Sequence, residues 1–160
     1  HRHKLDMLEC SARRLGITCI RTWACDVRDL PKEHDGAYDA VLLDAPCSGL
    51  GVLRRKPDLR WRKEIAAVSA LGQMQRELLD RAARLVKPGG RLVYSTCTLT
   101  QAENEENVRW FTVKYQNFAI KRPSNFLANL ASSEGWVKLL PHVTNTDGFF
   151  MVQFVKQGMP

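Results

Sequence analysis

Five cysteines are present without a single C-x-x-C pair, and the four histidines do not cluster with them. Both absences argue against a zinc site. The odd count, without the spacing of a small secreted domain, points to reduced thiols and a cytoplasmic setting. No apolar run approaches the roughly 20 residues of a membrane span. No signal-peptide pattern opens the chain, and no internal repeat or low-complexity tract interrupts it. Acidic residues are also in deficit. Against 24 Lys and Arg there are 17 Asp and Glu, a net charge of +7, which leans towards a polyanionic partner. The imbalance is concentrated: Arg54 to Lys63 packs six cations into ten residues. The remaining composition, 44% hydrophobic in 160 residues, is that of one soluble domain with a real core.

Apolar periodicity alternates between helix and strand. Leu5, Leu8, Ala12 and Leu15 recur at helical spacing, and Gly16 follows as a stop. Ile17 to Ala24 reads as a strand with Asp26 just past its end. Leu30 to Gly36 is a loop, and Tyr38 to Leu43 a second strand leading into Asp44. A long helix is expected over 65–85, with Leu71, Met74, Leu78, Ala82 and Leu85 on its apolar face. Lys87-Pro88-Gly89-Gly90 predicts a sharp turn, and Arg91 to Ser95 a third strand. Another helix is expected from Gln101 or Ala102, with Glu103, Glu105 and Glu106 in its first turns as the helix dipole favours. Asn117 to Lys121 and Gly148 to Val155 form a closing pair of strands with a loop between them. The order implies an α/β domain with a mostly parallel sheet and an antiparallel last strand. The first strand and glycine-rich turn that usually hold a cofactor in such folds are expected to be missing, as if the chain were the later part of a domain.

Two cysteine peptides sit at the ends of apolar runs: Asp44-Ala45-Pro46-Cys47-Ser48-Gly49 and Ser95-Thr96-Cys97-Thr98. Open α/β sheets bind their ligands beyond the carboxyl ends of the strands, so two thiols and a carboxylate are expected in one crevice. Thiolate is a strong nucleophile near neutral pH. Few reactions need two thiols beside an acid, and methylation of a pyrimidine carbon is one. Carbon 5 of cytosine attacks a methyl donor only after a nucleophile has added to carbon 6. An acid at ring nitrogen 3 helps that addition, and a base must later remove the carbon 5 proton. The plainer reading of a cysteine is a small buried hydrophobe. Cys10, Cys19 and Cys25 fit it. Asp26 and Asp44 also read as turn or cap residues. Pro46 removes a backbone donor and fixes the chain direction just where Cys47 must point outward.

These peptides, with Arg54-Arg55-Lys56-Pro57-Asp58-Leu59-Arg60-Trp61, Glu103-Asn104-Glu105 and Thr146-Asp147-Gly148-Phe149-Phe150-Met151, resemble the RNA cytosine-5 methyltransferases of the NOL1/NOP2/Sun family. The basic run is most similar to the bacterial Sun/RsmB (Fmu) branch, which modifies small-subunit ribosomal RNA. The resemblance implies a Rossmann-like fold that uses S-adenosylmethionine. It makes Cys97 the nucleophile and Cys47 the residue that assists breakdown of the covalent adduct. In DNA cytosine-5 methyltransferases the Pro-Cys cysteine attacks instead. Spacing does not decide between the two; the Thr-Cys-Thr peptide and its RNA-family neighbours favour Cys97. Asp44 would face both cytosine and methyl donor, and Asp26 the adenine end of the cofactor. The family's glycine-rich cofactor loop has no counterpart here, so the chain alone is expected to bind S-adenosylmethionine weakly or not at all and to be inactive. It is read as the carboxy-terminal portion, 1–160, of a catalytic domain.

Arg54, Arg55, Lys56 and Arg60 are expected to grip RNA phosphates near the target base. Trp61 either stacks on a base or packs against the following helix. Two competing functions remain. A catalytically silent RNA-binding or ribosome-assembly module would share the fold. An amino-group methyltransferase would want an Asn/Asp-Pro-Pro-aromatic peptide in place of Asp44 to Cys47.

Overall fold

The computed structural model describes residues 2–62, 65–124 and 126–158. Lys63, the last cation of the basic run, lies outside the described residues. The chain divides into two compact units, His1–Pro31 and Lys32–Pro160.

In the first unit, helix α1 spans Arg2–Arg14. Gly16 ends it in the left-handed region at φ 69°. There the Ile17 N–H donates to the Ala12 carbonyl at 2.9 Å and the Gly16 N–H to that of Arg13 at 3.1 Å. That is the Schellman arrangement, which glycine favours because it lacks a Cβ. The strand expected over 17–24 does not form. Its residues have no ladder partner among the described residues, and Ile17, Ile20 and Trp23 are exposed. An apolar run becomes a strand only when a neighbour satisfies its backbone groups. Cys10 on α1, Cys19 in this run and Cys25 just beyond it, all expected to be buried, are exposed.

The second unit is a mixed five-stranded sheet with helices packed on it. Strand β1 (Tyr38–Asp44) leads through the short α2 (Leu59–Arg62) and long α3 (Ile65–Leu85) to β2 (Val86–Thr96). Helix α4 (Glu105–Lys114), β3 (Phe118–Ile120), β4 (Val137–Leu139), α5 (Pro141–Thr144) and β5 (Phe149–Lys156) follow. β1 and β2 pair in parallel, with Val41 opposite Leu92 and Asp44 opposite Ser95. β5 runs antiparallel to β2 and carries β3 and β4. The architecture is the expected α/β type with its last strand antiparallel, and the parallel part among the described residues is the β1–β2 ladder.

One face of the sheet makes the core. Leu92 and Tyr94 of β2 and Phe150, Val152 and Phe154 of β5 alternate inward against Leu79, Ala82 and Ala83 of α3 and Val108 and Phe111 of α4. Each large side chain buried this way contributes about 1.5–3 kcal/mol. Helix α3 has the expected bounds, and Leu78, Ala82 and Leu85 of its expected apolar face are buried. The turn expected at Lys87–Gly90 is absorbed into the start of β2 as a register shift against Tyr38 and Ala40. Helix α4 begins at Glu105 rather than at 101 or 102, because residues 101–104 form turns. β4 and α5 occupy the stretch expected to be loop.

Candidate active site

Parallel pairing brings the ends of β1 and β2 side by side, and the chain keeps them together beyond the strands. The Ala45 N–H donates to the Ser95 carbonyl at 2.9 Å. After Pro46 the first loop curls through Gly49, at φ 72°, into a single 3-10 turn at Leu50–Val52. There the Gly51 N–H donates to the Cys97 carbonyl at 2.9 Å, and the Gly148 N–H to the Gly51 carbonyl at 2.8 Å. A Cβ on Gly51 would collide with the carbonyl oxygens of Gly148 and Cys97, the latter at 2.7 Å. Three backbone segments cross here at a separation only glycine permits.

This crossing brings the Cys47 and Cys97 sulfurs to 3.3 Å, within S–H···S distance. Both residues are half-buried. Burial, and then the neighbouring Cys97 sulfur, push the Cys47 thiol up to about 12, against the opposing pull of the Gly49 and Cys97 backbone N–H groups. Cys47 therefore keeps its proton near neutral pH, and either sulfur can donate in the shared contact. Asp44 stands exposed at the end of β1, and its Oδ1 accepts from the Ser95 hydroxyl at 3.0 Å. The structure thus brings Asp44, Cys47 and Cys97 to the carboxyl ends of two adjacent strands.

Behind the thiols lies a buried polar network that sequence reasoning missed. The Glu103 carboxylate, fully buried, accepts from the Ser48 N–H at 2.8 Å and the Ser48 hydroxyl at 2.6 Å. It also accepts from the Thr100 hydroxyl at 2.7 Å and the Gln75 amide at 3.0 Å. Gln75 donates in addition to the Pro46 carbonyl at 2.8 Å. Asn104 bridges the Thr96 hydroxyl and the Thr98 carbonyl. The sequence pattern puts Glu103 in the first turn of a helix, where the dipole favours it, but α4 starts two residues later and Glu103 points inward. A signal was available for Gln75, a polar residue between Leu71 and Leu78 on the apolar face of α3.

Of the basic run, Arg54 and Arg55 both pair with the largely buried carboxylate of Asp147; the Arg54 Nε lies 3.7 Å from its Oδ1. Lys56 and Arg60 are exposed. Trp61 is 84% exposed, so it does not pack on the following helix; the Arg60 guanidinium lies 5.6 Å from its ring centre. Asp26, in the first unit, caps the turn Val27–Asp29. Hydrogen bonds from the Arg28 side chain, and then from its backbone N–H, lower its carboxyl to about 2. Among the described residues no group of three or more His, Cys, Asp and Glu could hold a metal ion.

A Pro-Cys loop and a Thr-Cys-Thr loop in sulfur contact at adjacent parallel strand ends are a specific arrangement, and the sequence match agrees with it. The family described as 16S rRNA methyltransferase RsmB/F matches residues 1–155. The chain belongs to the RsmB/F family. It is 36% identical over 163 residues to the probable ribosomal RNA small subunit methyltransferase B of Bacillus subtilis, covering 99% of this chain and 36% of that protein. Among solved structures, PH0851 superposes with a TM-score of 0.90 at 36% identity, over 98% of this chain and 35% of that one. NSun6 from Pyrococcus horikoshii, solved with SFG, gives 0.80 at 30% identity, over 98% and 39%. This RsmB/F chain spans about a third of the length of the curated relatives it matches.

Proposed function

We propose that the full-length protein methylates carbon 5 of a cytosine in small-subunit ribosomal RNA, and that this chain is the carboxy-terminal portion of its catalytic domain. The observation that carries the reading is the 3.3 Å contact between Cys47 and Cys97 at the strand ends, with Asp44 beside them. The RsmB/F family match and relatives named as ribosomal RNA methyltransferases support RNA as the substrate.

In this reading the target base leaves its stack to reach the thiols. The Cys97 thiolate adds to carbon 6, forming the S–C6 bond and pushing the ring electrons towards carbon 5, with Asp44 assisting from the nitrogen 3 side. S-adenosylmethionine supplies the methyl group as an electrophile. Asp44 suits a role towards that cofactor as well. It is exposed, and no hydrogen bond among the described residues reaches its Oδ2, so it keeps acceptor capacity for an amino or hydroxyl donor. Asp26 would accept from the adenine end. After methylation the carbon 5 proton leaves and the S–C6 bond breaks. Cys47, which keeps its proton at neutral pH, passes it to the departing Cys97 sulfur; the Cys47 thiolate so formed takes up the carbon 5 proton. Both thiols are then restored. Free thiols suit the reducing cytoplasm, and Arg54, Arg55, Lys56 and Arg60 would hold phosphates flanking the base.

RNA carrying 5-azacytidine tests the reading, because an attacking thiolate becomes trapped on the base. The full-length protein with S-adenosylmethionine is expected to form a covalent RNA complex that Cys97→Ala abolishes. Absence of any complex would favour the silent RNA-binding module. A complex lost in Cys47→Ala but kept in Cys97→Ala would exchange the two roles.

A further inference from the structure

We propose that Glu103 is the positioning residue that holds Cys47 against Cys97 and so sets the rate at which the RNA adduct is released. The inference rests on Cys97 as the attacking thiol and Cys47 as the releasing one.

A buried carboxylate is costly unless its lone pairs are filled. Glu103 fills them with four donors, and the donors come from the segments that carry or brace the two cysteines. The Ser48 peptide N–H, joined directly to Cys47, points at Oε1, and the Ser48 hydroxyl points at Oε2. The Ser48 hydroxyl is also 2.7 Å from the hydroxyl of Thr98, the residue after Cys97. Thr100 fixes the continuation of the second loop. Gln75 reaches from α3 to both Glu103 and the Pro46 carbonyl, so residues before and after Cys47 are each tied to the same carboxylate. The Glu103 carbonyl in turn accepts from the Tyr94 hydroxyl at 2.6 Å, which roots the carboxylate in the core.

Glu103 touches neither sulfur. Its effect passes through Ser48, whose peptide N–H and hydroxyl bonds to the carboxylate together fix the peptide plane that sets where the Cys47 side chain points. With the Ser48–Glu103 bonds broken, the first loop keeps the Gly51–Cys97 backbone bond but loses its lock at Cys47. Attack by Cys97 then survives better than proton delivery from Cys47.

The test uses the full-length protein with ordinary RNA and S-adenosylmethionine, and reads the ratio of covalent RNA–protein complex to methylated product in the steady state. Cys47→Ala should raise that ratio. Glu103→Ala should raise it too, by between about tenfold and a hundredfold, the scale of misplacing a reacting group; Ser48→Ala, which loses the hydroxyl bond but keeps the peptide N–H bond, should raise it by less. Glu103→Gln should stay close to wild type, because its amide oxygen still accepts the Ser48 N–H while its NH2 donates to a hydroxyl. If Glu103 is only part of the fold's interior, complex and product fall together and the ratio does not move; that result overturns the proposal. Should Glu103→Ala fail to fold, Ser48→Ala decides alone, and an unchanged ratio is again fatal. If Cys47→Ala itself leaves the ratio unchanged, the assignment of the two thiols has failed; if it alone raises the ratio, only the role of Glu103 has.

Discussion

The sulfurs of Cys47 and Cys97 lie 3.3 Å apart although fifty residues separate them in the chain. The parallel register that sets Asp44 opposite Ser95 produces this contact, because each cysteine follows its member of that pair by two or three residues. Burial and the partner sulfur raise the Cys47 thiol, and in the proposed function Cys47 is the proton carrier.

The raised Cys47 thiol makes folding stability depend on pH. The Cys47 pKa is raised on folding, from 9.0 to about 12. Between those values the unfolded chain loses the proton and the folded one retains it, so stability falls as pH rises from 9.0 towards about 12. Tyr115, raised to about 12 chiefly by burial and then by its bond to Asp80, adds to the same alkaline loss. Denaturant midpoints measured across this range should drop with pH, and Cys47→Ala should make the drop shallower.

Gly51→Ala places a methyl group against two backbone carbonyls that have no flexible end to move. Overpacking of this kind costs about 1–3 kcal/mol. Thermal unfolding should show that loss. The same variant should also slow formation of the azacytidine complex, since the crossing it disturbs is what aligns the cysteine loops.

Arg54 and Arg55 share Asp147 in this structure, which offers a structural account of both. In the proposed function they also meet phosphates. Arg54→Ala combined with Arg55→Ala should then weaken RNA binding and reduce the salt slope by about one for each phosphate left without its cation. Binding measured at several salt concentrations with the slope unchanged would leave them only the ion pair with Asp147.

Trp61 presents its ring to solvent, so Trp61→Ala should change folding stability by no more than about 0.5 kcal/mol. A base stacked on that ring is worth about 1–3 kcal/mol. A filter-binding or anisotropy titration should show that loss in RNA affinity.

Local pattern made part of this molecule legible. Helix α3 follows from apolar spacing, and Pro46, Gly49 and the two cysteine peptides mark strand ends by residue order alone. Partners distant in sequence are not legible in this way. Glu103 reads as an ordinary acidic residue near a helix start until Ser48, fifty-five positions earlier, is seen to lie against it. Asp147 reads only as one residue of the Thr146–Met151 motif until Arg54 and Arg55 reach it. The apolar run at 17–24 fails in the opposite sense, since its composition suits a strand but no described strand forms a ladder with it. Periodicity reports which side chains prefer burial; it carries no information about which neighbour arrives.

The most direct test of the central claim is to locate the RNA adduct by mass spectrometry after trapping the full-length protein on azacytidine RNA and digesting with trypsin and nuclease. The nucleotide is expected on the peptide 92–109, which contains Cys97. A nucleotide on peptide 33–54, which contains Cys47, would contradict the account.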